Sequence, residues 1–168
     1  MGTRGIIARP ATKHRFEGRY HHWDSYPLGL GKALWDAYHG PFAGDLGQMV
    51  HVLIDEHPGG WSTIVDADWS KEPGFETYSR ESSDRPKCYC HGDRREGPYP
   101  LVTEEDDVGA EWAYVLDVGN HSMTIFETAT EQGDHAFGMF GTNPAAEHWA
   151  EIVVVDLDGE EPDWRKIR

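Results

Sequence analysis

Two short clusters hold the side chains of this chain that can do chemistry. The first is Tyr20-His21-His22-Trp23-Asp24, and the second is Cys88-Tyr89-Cys90-His91-Gly92-Asp93-Arg94. Imidazole, thiolate and carboxylate are zinc ligand types, and the same groups serve as general bases and nucleophiles. In a strand, adjacent His21 and His22 point to opposite faces, so both can ligate one metal only if the strand breaks there. One of these histidines can share a face with Asp24, whose carboxylate would orient the imidazole and raise its basicity. A hydrogen-bonded structural histidine beside a turn-forming aspartate fits the same residues. In the second cluster a single residue separates the cysteines, whereas structural zinc sites prefer two or more and need a second ligand pair elsewhere. In extended form, Cys88, Cys90 and Gly92 would face one way and Tyr89, His91 and Asp93 the other. Two buried, reduced cysteines are the plain alternative.

If the two clusters met across one cleft, His22, Asp24, His91, Asp93 and Arg94 would be the catalytic candidates. Arg94 would hold an anionic substrate group through its planar fork. Tyr20, Trp23, Ser25 and Tyr26 would line the ligand side. Zinc is the candidate cofactor, with ligands drawn from His21, His22, Cys88, Cys90 and His91. The chain has 10 histidines, a richness that favours a polar, titratable pocket. The others, at His14, His39, His51, His57, His121, His135 and His148, show no metalloprotease spacing. Known signatures fail. Gly29-Leu30-Gly31-Lys32-Ala33 lacks the earlier glycine and the hydroxyl of a phosphate-binding loop. Asp156-Leu157-Asp158-Gly159 lacks the acid that closes a calcium loop. Pro86-Lys87-Cys88-Tyr89-Cys90 has the wrong cysteine spacing for a deaminase, and no nucleophile elbow is present.

Composition narrows the function classes. The 168 residues form one domain's worth of sequence, with 38% hydrophobic content and a net charge of −15 from 30 acidic against 15 basic residues. Such a field disfavours direct binding to nucleic acid or anionic membranes, since phosphates need cations. It suits a basic partner or a surface that imitates nucleic acid, and it also keeps a protein soluble. Glu104-Glu105-Asp106-Asp107 reads as a solvated acidic loop. Cys88 and Cys90 are too close in sequence for a stabilising disulfide, which argues against a secreted, disulfide-held domain. Residues 1–10 hold no apolar run of secretory-leader length, and no stretch approaches membrane-spanning length. The cytoplasm is the expected address.

The elements that must position the clusters are readable in outline. Thr3 to Arg9 and Arg15 to Trp23 read as strands that could pair as a hairpin. Helical spacing marks Leu30 to His39, which Gly40-Pro41 stops. A second helix starts at Asp45, where Gln48 completes a capping-box pattern, and ends at His57-Pro58-Gly59-Gly60. Trp61 to Val65 is a short strand. Residues 66–100 form a long irregular segment, of the kind that is usually functional or disordered. Glu111 to Val118 and His121 to Thr128, separated by Gly119-Asn120, give the strongest hairpin signal. Residues 136–140 read as a strand, 144–149 as a helical turn, and Ile152 to Leu157 as a central strand buried on both faces; 158–168 is a polar tail. The expected architecture is a single α+β domain, with a mostly antiparallel sheet and two helices packed on one face.

The run Tyr20-His21-His22-Trp23-Asp24-Ser25-Tyr26-Pro27-Leu28-Gly29-Leu30-Gly31 resembles a group of small phage and mobile-element proteins built around His-Trp-Asp-Gly-Tyr-Pro. In that group the motif follows a first strand and opens a helix. Thr3-Arg4-Gly5-Ile6-Ile7 looks like their opening strand. Cys90 to Arg94, followed by Glu111-Trp112-Ala113-Tyr114-Val115, is similar to their middle portion. The sequence looks closest to actinobacterial members and departs at Ser25, where the group has glycine. The resemblance implies an accessory protein of phages or actinobacterial mobile elements, and it carries no mechanism. The leading expectation is a binding or inhibitory protein acting on a host component, such as a defence protein, or on a small ligand. A small hydrolase using the two clusters is the alternative, and an acidic nucleic-acid mimic is the third.

Overall fold

The computed structural model describes residues 2–77, 84–128 and 148–168. Among these residues eight strands form one sheet: β1 (Gly5–Pro10), β2 (Phe16–His21), β3 (Trp61–Thr63), β4 (Lys87–Cys88), β5 (Val102–Thr103), β6 (Trp112–Asp117), β7 (Ser122–Thr128) and β8 (Trp149–Asp156). Their order is β4-β3-β2-β1-β6-β7-β8, with β5 pairing on β2. The two hairpins expected from sequence, β1–β2 and β6–β7, are both antiparallel. The sheet is nevertheless mixed, because β1 runs parallel to β6 and β2 parallel to β3.

The β2–β3 connection carries both helices. Pro27–Gly31 is a single wide π-helical turn that leads into α1 (Lys32–His39). Helix α2 (Leu46–Val50) widens in the same way over His51–Asp55. The Asp45 side chain caps α2 by accepting from the Gln48 amide at 3.0 Å. The Asp45 amide donates to Phe42 O at 2.9 Å, so backbone supplies the reciprocal half of the capping box. Gly40 closes α1, its amide donating to Asp36 O.

Both helices pack on one face. Leu30, Leu34, Met49, Leu53 and Ile54 join Ile7, Trp61, Tyr114, Leu116, Met123 and Ile125 of the sheet in the main core. The opposite face is covered more thinly, by a cluster around Phe16, Phe126 and Trp149. The buried Tyr114 reaches across the main core and donates from Oη to Ser25 O at 2.6 Å, which pins the loop entering the first helix.

The final strand differs from its sequence expectation. Among the described residues β8 pairs only with β7 and ends the sheet, and Val154 is 53% exposed. A continuous valine run satisfies β propensity at an edge as well as in the centre, so it could not report two-sided burial. The candidate strand at 136–140, the turn at 144–149 except its last two residues, and His135 lie outside the described residues. No helix among the described residues is long and apolar enough to cross a membrane.

Candidate metal centre

The sheet register brings the first half of the site together. Trp61 sits opposite His21 on β2 and opposite Cys88 on β4. The turn His57-Pro58-Gly59-Gly60 feeds β3 from the end of the second helix and lies beside the chain that leaves β4. Tyr89 N donates to Gly60 O at 3.0 Å, and Tyr99 N to Pro58 O at 3.0 Å. From behind, the buried Arg19 of β2 donates to Ile54 O at 2.8 Å and to Tyr99 O at 2.7 Å, clamping helix end and loop together. Gly59 allows the close approach: a Cβ there would meet Cys90 Cβ and Cys90 N at 3.0 Å and Glu96 O at 2.7 Å.

The consequence is that donor atoms of His57, Cys88, Cys90 and His91 all lie within 4.8 Å of one another. His91 Nδ1 is 3.3 Å from both sulfurs, and His57 Nδ1 is 3.6 Å from Cys90 Sγ. Zn–S bonds of ~2.3 Å and Zn–N bonds of ~2.0–2.1 Å at tetrahedral angles place sulfur and nitrogen ligands roughly 3.5 Å apart. The observed separations match that spacing. One imidazole nitrogen equidistant from both thiols suits a single ion. A [2Fe–2S] cluster would instead bind two pairs of ligands on two separate irons. Thiolates with imidazoles in a tetrahedral set favour zinc.

The His57 ring environment agrees with ligation, and the Cys88 thiol needs the cation itself to lose its proton. Burial, followed by repulsion from His91, lowers the His57 pKa to about 4, so its ring is neutral at ordinary pH and has a lone pair to give. Burial, followed by the neighbouring Cys90, pushes the Cys88 thiol up to about 12. A bound divalent cation reverses that balance, because coordination deprotonates a thiol. Cys88 is fully buried, Cys90 half-buried and His91 exposed, so the centre lies at the surface end of the sheet. His57 and His91 also form part of the wall of an open cleft of ≈ 590 Å³.

The sequence candidates separate into those inside this cluster and those outside it. Cys88, Cys90 and His91 are inside; among the described residues His21 and His22 are not part of it. His21 is fully buried. Ile64 N donates to its Nε2 at 3.0 Å, so Nδ1 carries the proton and donates to Ser25 Oγ at 2.8 Å. Ser25 in turn donates to His21 O at 3.3 Å. Both ring nitrogens are therefore occupied, and burial followed by repulsion from His22 lowers the pKa to about 3. His22 Nδ1 lies 2.7 Å from Tyr20 Oη, and its ring stands edge-on to exposed Trp23. Asp24 is exposed with φ 57°, and Tyr26 is exposed beside it.

Arg94 does not present a free fork. Its guanidinium lies 4.9 Å from the Phe75 ring centre and 5.7 Å from that of Tyr89, and it pairs with Glu96 at 3.3 Å. Asp93 is exposed, and its amide donates to Phe75 O at 2.9 Å. Since β2 and β4 flank β3, their backbones stand about 10 Å apart at ordinary strand spacing. His57 was the member of the donor cluster that sequence reasoning missed. Its only local signal was its place in a turn entering a strand; the strand pairing that brings it to Cys90 is not written in any spacing.

No protein-family model, curated protein or solved structure matches this chain.

Proposed function

We propose that this chain is a zinc-binding accessory protein, a recognition module whose metal is structural. The observation that carries the reading is the convergence of His57, Cys88, Cys90 and His91 to within 4.8 Å. Four protein donors fill a tetrahedral shell, whereas a catalytic zinc keeps one position for water or substrate. The ion would join the turn that follows the second helix to β4, locking the irregular segment onto the sheet. Hydrolysis is the weaker reading, because both nitrogens of His21 are hydrogen-bonded, His22 Nδ1 is engaged by the Tyr20 hydroxyl, and Arg94 is held by two rings and Glu96. The phage or mobile-element context suggested by the His22 to Pro27 motif fits a small protein that binds a host component.

The test is native mass spectrometry of protein expressed with zinc, set against the denatured mass. One zinc per chain is expected, lost in Cys88→Ser. Cobalt substitution should give the intense visible bands of a tetrahedral thiolate site. A native mass equal to the sequence mass, with no cobalt spectrum, would overturn the proposal.

A further inference from the structure

We infer that the cleft beside His57 and His91 continues into a groove that receives an extended, lysine- or arginine-bearing segment of a partner protein. The ≈ 590 Å³ cleft and a neighbouring ≈ 310 Å³ concavity share Pro41 and Trp69 in their walls, so they lie side by side on one surface. Each alone matches the size of a small-ligand pocket; joined, they suit several residues of chain rather than one side chain.

The walls select for positive charge. Glu56 and Glu72 line one part, and Asp24, Asp36 and Asp66 the other. Among the described residues Lys32 is the only lysine or arginine in either wall, and it is already tied to Asp36 at 2.6 Å. Glu72 carries no ion pair among the described residues. Between the acids, Phe42 and Trp69 meet edge-to-face with ring centres 5.3 Å apart, offering aromatic surface against which a guanidinium or ammonium can sit. A second feature is independent of charge. His57 is only 5% exposed yet lines this wall, and its one hydrogen-bond contact among the described residues is Nδ1 to Cys90 Sγ. Its other ring nitrogen is free to pair with the backbone of a bound segment. Acids at both ends, aromatics and a buried imidazole with one ring nitrogen not engaged among the described residues are what an extended basic peptide would use.

The inference goes beyond the zinc reading and does not require it. The probe is a short fluorescein-labelled peptide of alternating arginine and serine, titrated by anisotropy against the full chain. Because a protein of charge −15 attracts any cation, the comparison is between two variants that lose equal charge. Glu56→Gln with Glu72→Gln should weaken binding about tenfold, as two lost surface ion pairs would. Glu151→Gln with Glu160→Gln, on exposed positions outside the groove, should change it less than threefold. Equal weakening by both pairs, or none by either, overturns the inference. Zinc content measured on the same samples reports separately on the metal reading, so absence of zinc with a retained difference between the variants would sink only that reading.

Discussion

His21 sets a pH dependence of folded stability that follows from its burial. Its ring is fully buried, accepts from Ile64 N and donates to Ser25, so the folded protein holds it neutral down to a pKa of about 3 against an ordinary 6.5. The unfolded chain binds a proton at this ring below about pH 6.5 while the folded chain does not, so folded stability falls as pH drops through that window. The full effect, reached below the folded pKa, is about 4–5 kcal/mol; between pH 7 and pH 5 it is about 2 kcal/mol. That interval lies above the ordinary carboxylate range, so acid groups interfere little. Urea unfolding at pH 7, 6 and 5 in the presence of a chelator would measure it, with His21→Asn as the comparison. Asparagine keeps a donor toward Ser25 Oγ and removes the titration, at a cost of about 1–3 kcal/mol for the unpaired Ile64 amide. Wild type should lose about 2 kcal/mol more than the variant across the interval. Equal slopes would refute the reasoning. If the variant does not fold, the His21 ring resonances in wild-type protein decide the matter: they should stay unchanged down to pH 5, and a midpoint near 6.5 would refute it equally.

Gly92 holds φ 76°, and a Cβ there would meet Phe75 O at 2.5 Å, so Gly92→Ala should destabilise the fold by about 1–3 kcal/mol and weaken zinc retention in a competition assay with a chelator. Asp45→Ala removes the acceptor for Gln48 N and should cost about 1 kcal/mol in urea unfolding, with zinc content unchanged. Tyr114→Phe removes a buried hydrogen bond to Ser25 O and should cost about 1–2 kcal/mol by the same assay. Chelation of the wild-type protein should lower its thermal midpoint, whereas Cys88→Ser should show the same midpoint with and without chelator, because only a bound ion adds stability by mass action.

The α+β class, both hairpins and both helices were legible in the sequence, because each rests on local chemistry. Period-2 alternation marks a strand, the Gly-Asn pair a tight turn, Gly-Pro the end of a helix, and Asp45 the start of one. Cys88, Cys90 and His91 were legible as a donor cluster for the same reason: they are neighbours in the chain. The missing partner was not. His57 reaches them because β2 pairs in parallel with β3 and β3 antiparallel with β4, and because Gly59 lets the two backbones touch. Strand order and long-range pairing arise from the packing of whole faces, which no local spacing encodes. The same gap separates the expectation for His21, His22 and Arg94 from their placement. Residue type named what each could do, but burial, the Ile64 amide, the Tyr20 hydroxyl and the Phe75 and Tyr89 rings decided what each does. Side-chain chemistry is fixed by sequence; whether a lone pair or a proton remains free is fixed by the neighbours the fold supplies.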